Sequence, residues 1–210
     1  MFKKLAAIGL MAGALGMSGA ASAQWYIGGG AGKSKIDTDN TGIDSTIRSS
    51  GFATSTTTSD ERDTGYKIFG GYQFHPNFAG EVSYANLGKF STFTTTTGPA
   101  ATGVGEIKID NTWSFDLLGI APLGNNFSIF GRAGLLYSET KQSATLTGPG
   151  GTVSVAFKDN DWNWKLGIGA GYEFTPQFGV RAEWERYRVS DGLGGHGDLD
   201  LFSVSARFKF

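Results

Sequence analysis

The sequence predicts an all-β fold, an eight-stranded antiparallel up-and-down transmembrane β-barrel, and three observations carry that expectation. The first is Trp162 to Phe174, thirteen residues in which Trp162, Trp164, Leu166, Ile168, Ala170, Tyr172 and Phe174 alternate with Asn163, Lys165, Gly167, Gly169, Gly171 and Glu173. Successive strand side chains point to opposite faces, so one face of this segment is wholly apolar and the other polar or bare. Half-buried strands of soluble proteins usually run about 5 to 6 residues, whereas a tilted strand needs roughly 9 to 11 to cross a bilayer. The second observation is the order along the apolar face, with aromatics at both ends and aliphatics between them, the girdle arrangement of a lipid-facing strand. The third is recurrence: comparable segments follow one another through the chain, joined by connections that alternate long and short.

The N-terminus has the form of an export signal. Lys3 and Lys4 give a positive start, Leu5 to Met17 an apolar run, and Ala21-Ser22-Ala23 a small-residue cleavage site, so residues 1–23 are expected to be removed and residues 24–210 to form one barrel domain. Without those two lysines, 16 of the 18 basic residues remain against 19 acids, a net charge of −3 that gives no reason to expect nucleic acid. Cysteine is absent, which excludes disulfides and thiolate metal sites.

Strand 1 is read from Gln24 to about Ser34, with Trp25, Ile27, Gly29 and Ala31 on one face, followed by a polar loop without periodicity from Lys35 to Asp63. Strand 2, Thr64 to Phe74, puts Tyr66, Ile68, Tyr72 and Phe74 outward and Lys67, Phe69 and Gln73 inward, and His75-Pro76-Asn77 turns it into strand 3, Phe78 to about Lys89. Phe90 to Gly105 reads as a second loop. Strand 4, Glu106 to Ala121, is expected to present Ile107, Ile109, Trp113, Phe115 and Leu117 on one side and Lys108, Asp110, Thr112, Ser114 and Asp116 on the other.

Pro122 to Asn126 is a short turn, and strand 5, Phe127 to Thr140, sends Ile129, Ala133, Leu135 and Tyr137 outward with Arg132, Phe130 and Leu136 inward. Lys141 to Lys158 is a third polar loop with Gly148-Pro149-Gly150-Gly151 at its tip. Strand 6 is Trp162 to Phe174, and Thr175-Pro176-Gln177 leads to strand 7, Phe178 to about Val189. A loop from Ser190 to Gly197 precedes strand 8, Asp198 to Phe210, where Phe202, Val204, Ala206, Phe208 and Phe210 alternate with Ser203, Ser205, Arg207 and Lys209. An even strand number lets the first strand close on the last, so no edge stands unpaired in lipid. Gly71 to Phe78 is echoed by Gly171 to Phe178, a repeated strand-turn-strand unit.

Four stretches carry a family resemblance: Phe69-Gly70-Gly71-Tyr72-Gln73 before a proline turn, Glu81-Val82-Ser83-Tyr84, Val180-Arg181-Ala182-Glu183-Trp184 and the terminal Phe208-Lys209-Phe210. They resemble the transmembrane domain of OmpA-like proteins, the small eight-stranded outer-membrane barrels of the OmpA/OmpX type, over essentially all of Gln24 to Phe210. The resemblance implies a bacterial outer-membrane location, a periplasmic short-turn rim, an extracellular loop rim, and Phe208 and Phe210 as a signal read by the barrel-assembly machinery. The peptidoglycan-binding domain of full-length members is not expected here.

Strand parity assigns Lys67, Arg132, Lys165, Arg181, Arg207 and Lys209 to the lumen with Glu81, Asp116, Glu173, Glu183 and Glu185, six cations facing five acids. An eight-stranded barrel is only just wide enough for its inward side chains, so near-balanced charge predicts an ion-paired plug. In the resembled family a glutamate on strand 3 pairs with an arginine on strand 7 as a gate, and Glu81 and Arg181 match those positions. The family's strand-4 lysine is not matched, since Asp116 or Leu118 falls there.

Other motifs dissolve. Gly28 to Ser34 ends in Gly-Lys-Ser with glycine spacing one residue short of a phosphate-binding loop. Asp37, Asp39, Thr41 and Gly42 open like a calcium loop, but Arg48 stands where the bidentate glutamate belongs. His75 and His196 are expected at opposite rims, and a lipid-modifying outer-membrane enzyme using His196 with Ser190 and Asp191 is a minor alternative. The expected function is a non-enzymatic, monomeric envelope barrel without cofactor or metal, in contact with outer-membrane lipid and lipopolysaccharide. Its surface loops would be available to host or phage ligands, with a small low-conductance pore as the alternative. Ile168→Arg is expected to impair insertion and Lys165→Gln to be milder.

Overall fold

The computed structural model describes residues 24–36, 39–190 and 196–210; the expected signal segment and Asp191 lie outside them. The elements are β1 (Gln24–Ile36), α1 (Asn40–Ser49), β2 (Thr54–Asp60), β3 (Arg62–His75), β4 (Phe78–Asn86), β5 (Gly88–Thr97), β6 (Ala101–Gly124), β7 (Phe127–Gly148), β8 (Gly151–Glu173), β9 (Phe178–Ser190) and β10 (His196–Lys209). Eight of these strands form an antiparallel ring in the order β1, β3, β4, β6, β7, β8, β9, β10. The last returns to the first along a ladder from Tyr26↔Lys209 to Ile36↔Leu199. Closure leaves the ring no edge strand, which matters in hydrocarbon, where an unpaired backbone group costs several kcal/mol.

The outer face carries the apolar half of each alternation. Ile68, Phe115, Leu117, Leu166, Ile168 and Val204 are all exposed on it. Two rows of aromatics bound the band. Near the short turns, Trp25 meets Tyr72 with ring centroids 4.7 Å apart, Phe127 meets Tyr172 at 4.7 Å, and Phe178 meets Phe208 at 4.8 Å. At the other end, Tyr84 meets Trp113 at 5.2 Å and Tyr137 meets Trp162 at 5.4 Å. On β8 the rows are set by Trp162 and Tyr172, and at the usual strand rise and tilt that separation projects to about 25 Å, the height of an outer-membrane apolar band.

Three tight connections share one rim. His75 pairs with Phe78 around Pro76-Asn77, and Phe174 and Thr175 both donate to the Phe178 carbonyl. β6 runs on to Gly124, beyond the expected turn at Pro122, and reverses at Asn125 and Asn126, both with positive φ (51° and 66°). Two left-handed residues are what a two-residue hairpin turn matching the sheet twist requires, and asparagine tolerates that conformation.

The opposite, tall rim departs from expectation. The three stretches read there as polar loops are largely ordered. Phe90 to Gly105 continues β4 as β5 beyond Gly88 and returns as the top of β6. Lys141 to Lys158 is a β7–β8 hairpin turning at Pro149-Gly150, from Lys141↔Lys158 to Gly148↔Gly151. Lys35 to Asp63 contains α1 and β2, and β2 adds to β5, so a sheet in the order β2, β5, β6, β7, β8 stands above the ring. Threonine and serine runs such as Thr54 to Ser59 lack the apolar alternation that flags a strand because the buried side of β2, Ser55 and Thr57, is itself polar and bonds to Asp44, yet β-branched threonine suits a pleated backbone. The α1 start is fixed by Asp39, whose carboxylate accepts the Gly42 N–H at 2.9 Å.

The expected parity of strand 4 fails above Trp113. Between Asp110↔Glu139 and Trp113↔Tyr137, β6 advances three residues while β7 advances two, a bulge with Asn111 at φ 50° and its side chain accepting from the Tyr84 hydroxyl at 2.9 Å. The extra residue exchanges the faces. Ile109 is fully buried in the lumen and Ile107 packs beside it, whereas Lys108 is half exposed on the outer face.

Candidate functional site: the lumen

The site is built by the inner half of each alternation. On β8, Lys165, Gly167, Gly169, Gly171 and Glu173 face inward, and β9 lies beside them with Gly167↔Glu185, Gly169↔Glu183 and Gly171↔Arg181 in register. Three glycines in a row leave room for three long charged side chains. Gly28, and Gly169 again, make space for rings: a Cβ on Gly28 would lie 2.3 Å from Phe69 Cζ, and one on Gly169 would lie 2.5 Å from Phe130 Cζ.

Four cations and four acids meet at the centre, each with no more than 1% of its side chain accessible. Arg132 is the hub, with Nη2 3.0 Å from Glu81 Oε1 and 3.1 Å from Glu183 Oε2, and Nη1 3.0 Å from Glu185 Oε1 and 3.6 Å from Asp116 Oδ2. Arg181 donates from Nη1 to Glu81 at 2.9 Å and places Nε 2.8 Å from Glu183. Its guanidinium is stacked 4.0 Å from the Phe69 ring centroid and 5.4 Å from that of Phe130. Lys67 joins Glu183 and Glu185, and Lys165 lies 3.0 Å from Asp116 and 3.1 Å from Glu185. Full pairing is what makes charge tolerable where water is excluded.

Toward the short-turn rim, Glu173 contacts Arg207 and lies 3.4 Å from Lys209. Arg207 lies over the Tyr26 ring at 5.4 Å, and the Tyr26 hydroxyl donates to Glu81 at 3.1 Å. Tyr26 therefore links the rim pair to the centre. Tyr26 is absent from the candidates read off the sequence, although parity places it inward between the outward Trp25 and Ile27. A cavity of about 220 Å³, lined among others by Ile120, Phe130, Glu173, Arg181 and Arg207, opens at this rim.

Above the charges lies a second, apolar layer that the sequence did not foretell. Ala85, Leu87, Phe90, Ile109, Leu136, Tyr187, Val189, Leu199 and Leu201 pack together, all buried. Of these, only Leu136 is an inward apolar residue in the sequence reading, where Ile109 takes the other face and Phe90 falls in a loop. Lys165 lies 5.1 Å over the Tyr187 ring, joining the two layers.

The remaining motifs resolve into structure. Gly28 to Ser34 is part of β1, and Asp39 caps α1. Among the described residues no group of three His, Cys, Asp or Glu could hold a metal ion, and no helix is long and apolar enough to cross a membrane. His75 sits at the short-turn rim and His196 starts β10 at the tall rim, so the two histidines are separated by the height of the barrel.

Comparison with known proteins places this architecture. The family model described as outer membrane protein beta-barrel domain matches residues 5–210. Neisserial surface protein A is similar in structure, with 12% identity over 89% of this chain and 97% of that one and a TM-score of 0.49. The outer membrane protein OprG of Pseudomonas aeruginosa gives 14% identity, 89% and 96% coverage and a TM-score of 0.47. Ail, the attachment invasion locus protein of Yersinia pestis, gives 14%, 89%, 99% and 0.46. No curated protein sequence matches the chain.

Proposed function

The chain belongs to the outer-membrane β-barrel family, and from that premise we propose that it is a non-conducting structural component of the bacterial outer membrane that presents a raised extracellular sheet for contact. The observation that carries this reading is the doubly sealed lumen. Four cations and four acids neutralise one another at the centre, and a buried apolar layer closes the barrel above them. An ion crossing would have to break charge pairs and then enter a largely apolar layer in which the Tyr187 hydroxyl is the polar group. In this reading the short-turn rim is periplasmic, and the sheet of β2, β5, β6, β7 and β8 projects from the cell. The eight central ionisable groups are paired with one another, the arrangement expected of a structural plug.

The test is electrical. Mature protein refolded into planar bilayers should show no discrete conductance steps at neutral pH, and steady openings would overturn the reading. A gated pore is the second reading, favoured by the Glu81–Arg181 pair and by Arg132, 3.0 Å from Glu81, as a standing alternative partner. It requires conductance that changes with Glu81→Ala and Arg181→Ala. A contact role predicts that removing the tip of the β7–β8 hairpin, residues 143–156, lowers adhesion of cells carrying the protein while leaving the barrel folded. We also propose Phe208 and Phe210 as the signal for the assembly machinery. Phe210 N–H donates to Trp25 O at 2.9 Å, so the same residue then seals the ring.

A further inference from the structure

The outer face at the tall rim carries a feature that neither the lumen nor the loops explain. Lys89 pairs with Lys108, Lys108 with Lys141, and Lys141 with Lys158, so four lysines stand side by side across β5, β6, β7 and β8. Like charges directly opposite one another in a sheet are destabilising, so such a row needs a counter-charge. The chain supplies part of it: Lys89 lies 2.7 Å from Glu106, Lys108 2.9 Å from Asp110, Lys141 2.9 Å and Lys158 2.9 Å from Glu139. Three carboxylates thus serve four ammonium groups. Each lysine side chain remains about half exposed, from 46% to 56%.

The position of the row is specific. The bulge at Asn111 turns Lys108 to the outer face, into line with Lys141. Lys141 lies four residues beyond the girdle residue Tyr137, and Lys158 four residues beyond Trp162. At strand rise and tilt this is on the order of 10 Å above the aromatic girdle, the depth of lipid headgroups. Lys33 and Lys35 on β1 and Arg62 on β3 continue the basic belt at the same rim, with Lys35 paired to Arg62 in register. Among the described residues, every lysine or arginine that points away from the lumen lies at this rim or on α1, and none lies outside the barrel at the short-turn rim.

We propose that the row Lys89–Lys108–Lys141–Lys158 is a docking site for the phosphate groups of the phosphorylated glycolipid of the outer leaflet, lipopolysaccharide. The inference rests on the outer-membrane reading and its orientation. Neighbouring lysines about 5 Å apart match multiple phosphates better than a single anion, and exposed lysine–carboxylate pairs give way at little cost because they contribute little in water.

The test uses the full mature chain in phosphatidylcholine nanodiscs, with binding of bis-phosphorylated lipid A measured against lipid A stripped of both phosphates, phosphatidylglycerol and inorganic phosphate. Lys108→Gln/Lys141→Gln should weaken binding of bis-phosphorylated lipid A about tenfold or more, and Lys108→Arg/Lys141→Arg should retain it. Arg48→Gln on α1 should leave it unchanged. Equal binding of the phosphate-free form, or undiminished binding by the glutamine variant, overturns the proposal. Equal affinity for phosphatidylglycerol would assign the row to lipid phosphate in general, and binding of inorganic phosphate alone would remove the lipid; both overturn it. Should the double glutamine variant fail to fold, the phosphate-free comparison on the unaltered protein decides. Failure of the unaltered protein to enter nanodiscs at all would instead overturn the membrane reading.

Discussion

Arg181 and Glu81, one hundred residues apart in the chain, meet inside the barrel with Nη1 2.9 Å from Oε2. The pair is closed on both sides, since Arg181 also reaches Glu183 and Glu81 also receives Tyr26 and Arg132. Removing one partner leaves the other buried and uncompensated, which typically costs about 3–5 kcal/mol. Glu81→Ala and Arg181→Ala should each lower the urea midpoint of the refolded barrel. The double variant should cost less than the sum, and strict additivity would show that the pair is not coupled.

Ile168 and Lys165 separate the two faces. Ile168 is 62% exposed on the outer face near the middle of the apolar band, so Ile168→Arg should cost about 2–4 kcal/mol in lipid. Lys165→Gln, expected from the sequence to be milder, removes an ammonium fully buried between Asp116 and Glu185, but Glu185 keeps Lys67 and Arg132 and Asp116 keeps Arg132 at 3.6 Å. The distinction is in the solvent. Folding yield of Ile168→Arg should depend on bilayer thickness, whereas the Lys165→Gln penalty should be the same in thick and thin bilayers.

Gly28 sets the fit of Phe69. With the Phe69 ring 2.3 Å from where a Cβ would stand, Gly28→Ala should cost about 1–3 kcal/mol by overpacking. Phe69→Leu in the same chain should recover part of the loss in urea melts. A Gly28→Ala barrel as stable as the parent would show that β1 does not approach Phe69 this closely.

Asp44 ties α1 to β2 and carries a pH signature. Its carboxylate accepts Thr57 Oγ1 at 2.6 Å, Ser55 Oγ at 2.8 Å and Thr57 N–H at 3.3 Å, and the Thr57 hydroxyl foremost holds it below the usual carboxylate range. A depressed acid stabilises the folded arrangement above its free value, about pH 4, and that contribution disappears as pH falls through the bound value. Amide exchange in residues 40–49 should therefore accelerate beyond its intrinsic pH trend on acidification. Asp44→Asn should abolish the transition, and an unaltered profile would count against the contact.

The membrane part of the molecule was legible because lipid imposes a strict period of two: Trp162 to Phe174 alternates without error, and the same parity places Arg181, Glu183 and Glu185 inside. Two kinds of feature were not. The bulge at Asn111 adds one residue and carries no apolar signal of its own, so Ile107 and Ile109 look like a continuation of the Trp113 face until the partner strand is seen. Above the membrane, β2 is polar on both faces, its buried Ser55 and Thr57 included, and a threonine-rich strand there has no hydrophobic pattern to betray it. The lumen's composition could be read, but its partners could not, because Arg132 chooses among four acids that come from three other strands.

The junction of β1 with β10 binds Tyr26 to Lys209 and Ile36 to Leu199, nearly the whole length of the polypeptide apart. Until β10 is in place the first strand has no neighbour on that side, so the ring cannot close before the end of this sequence has joined it. A nascent chain short of its final strand would hold two raw borders, each a template for another such chain. The ring therefore loses both borders at once, when β10 meets β1.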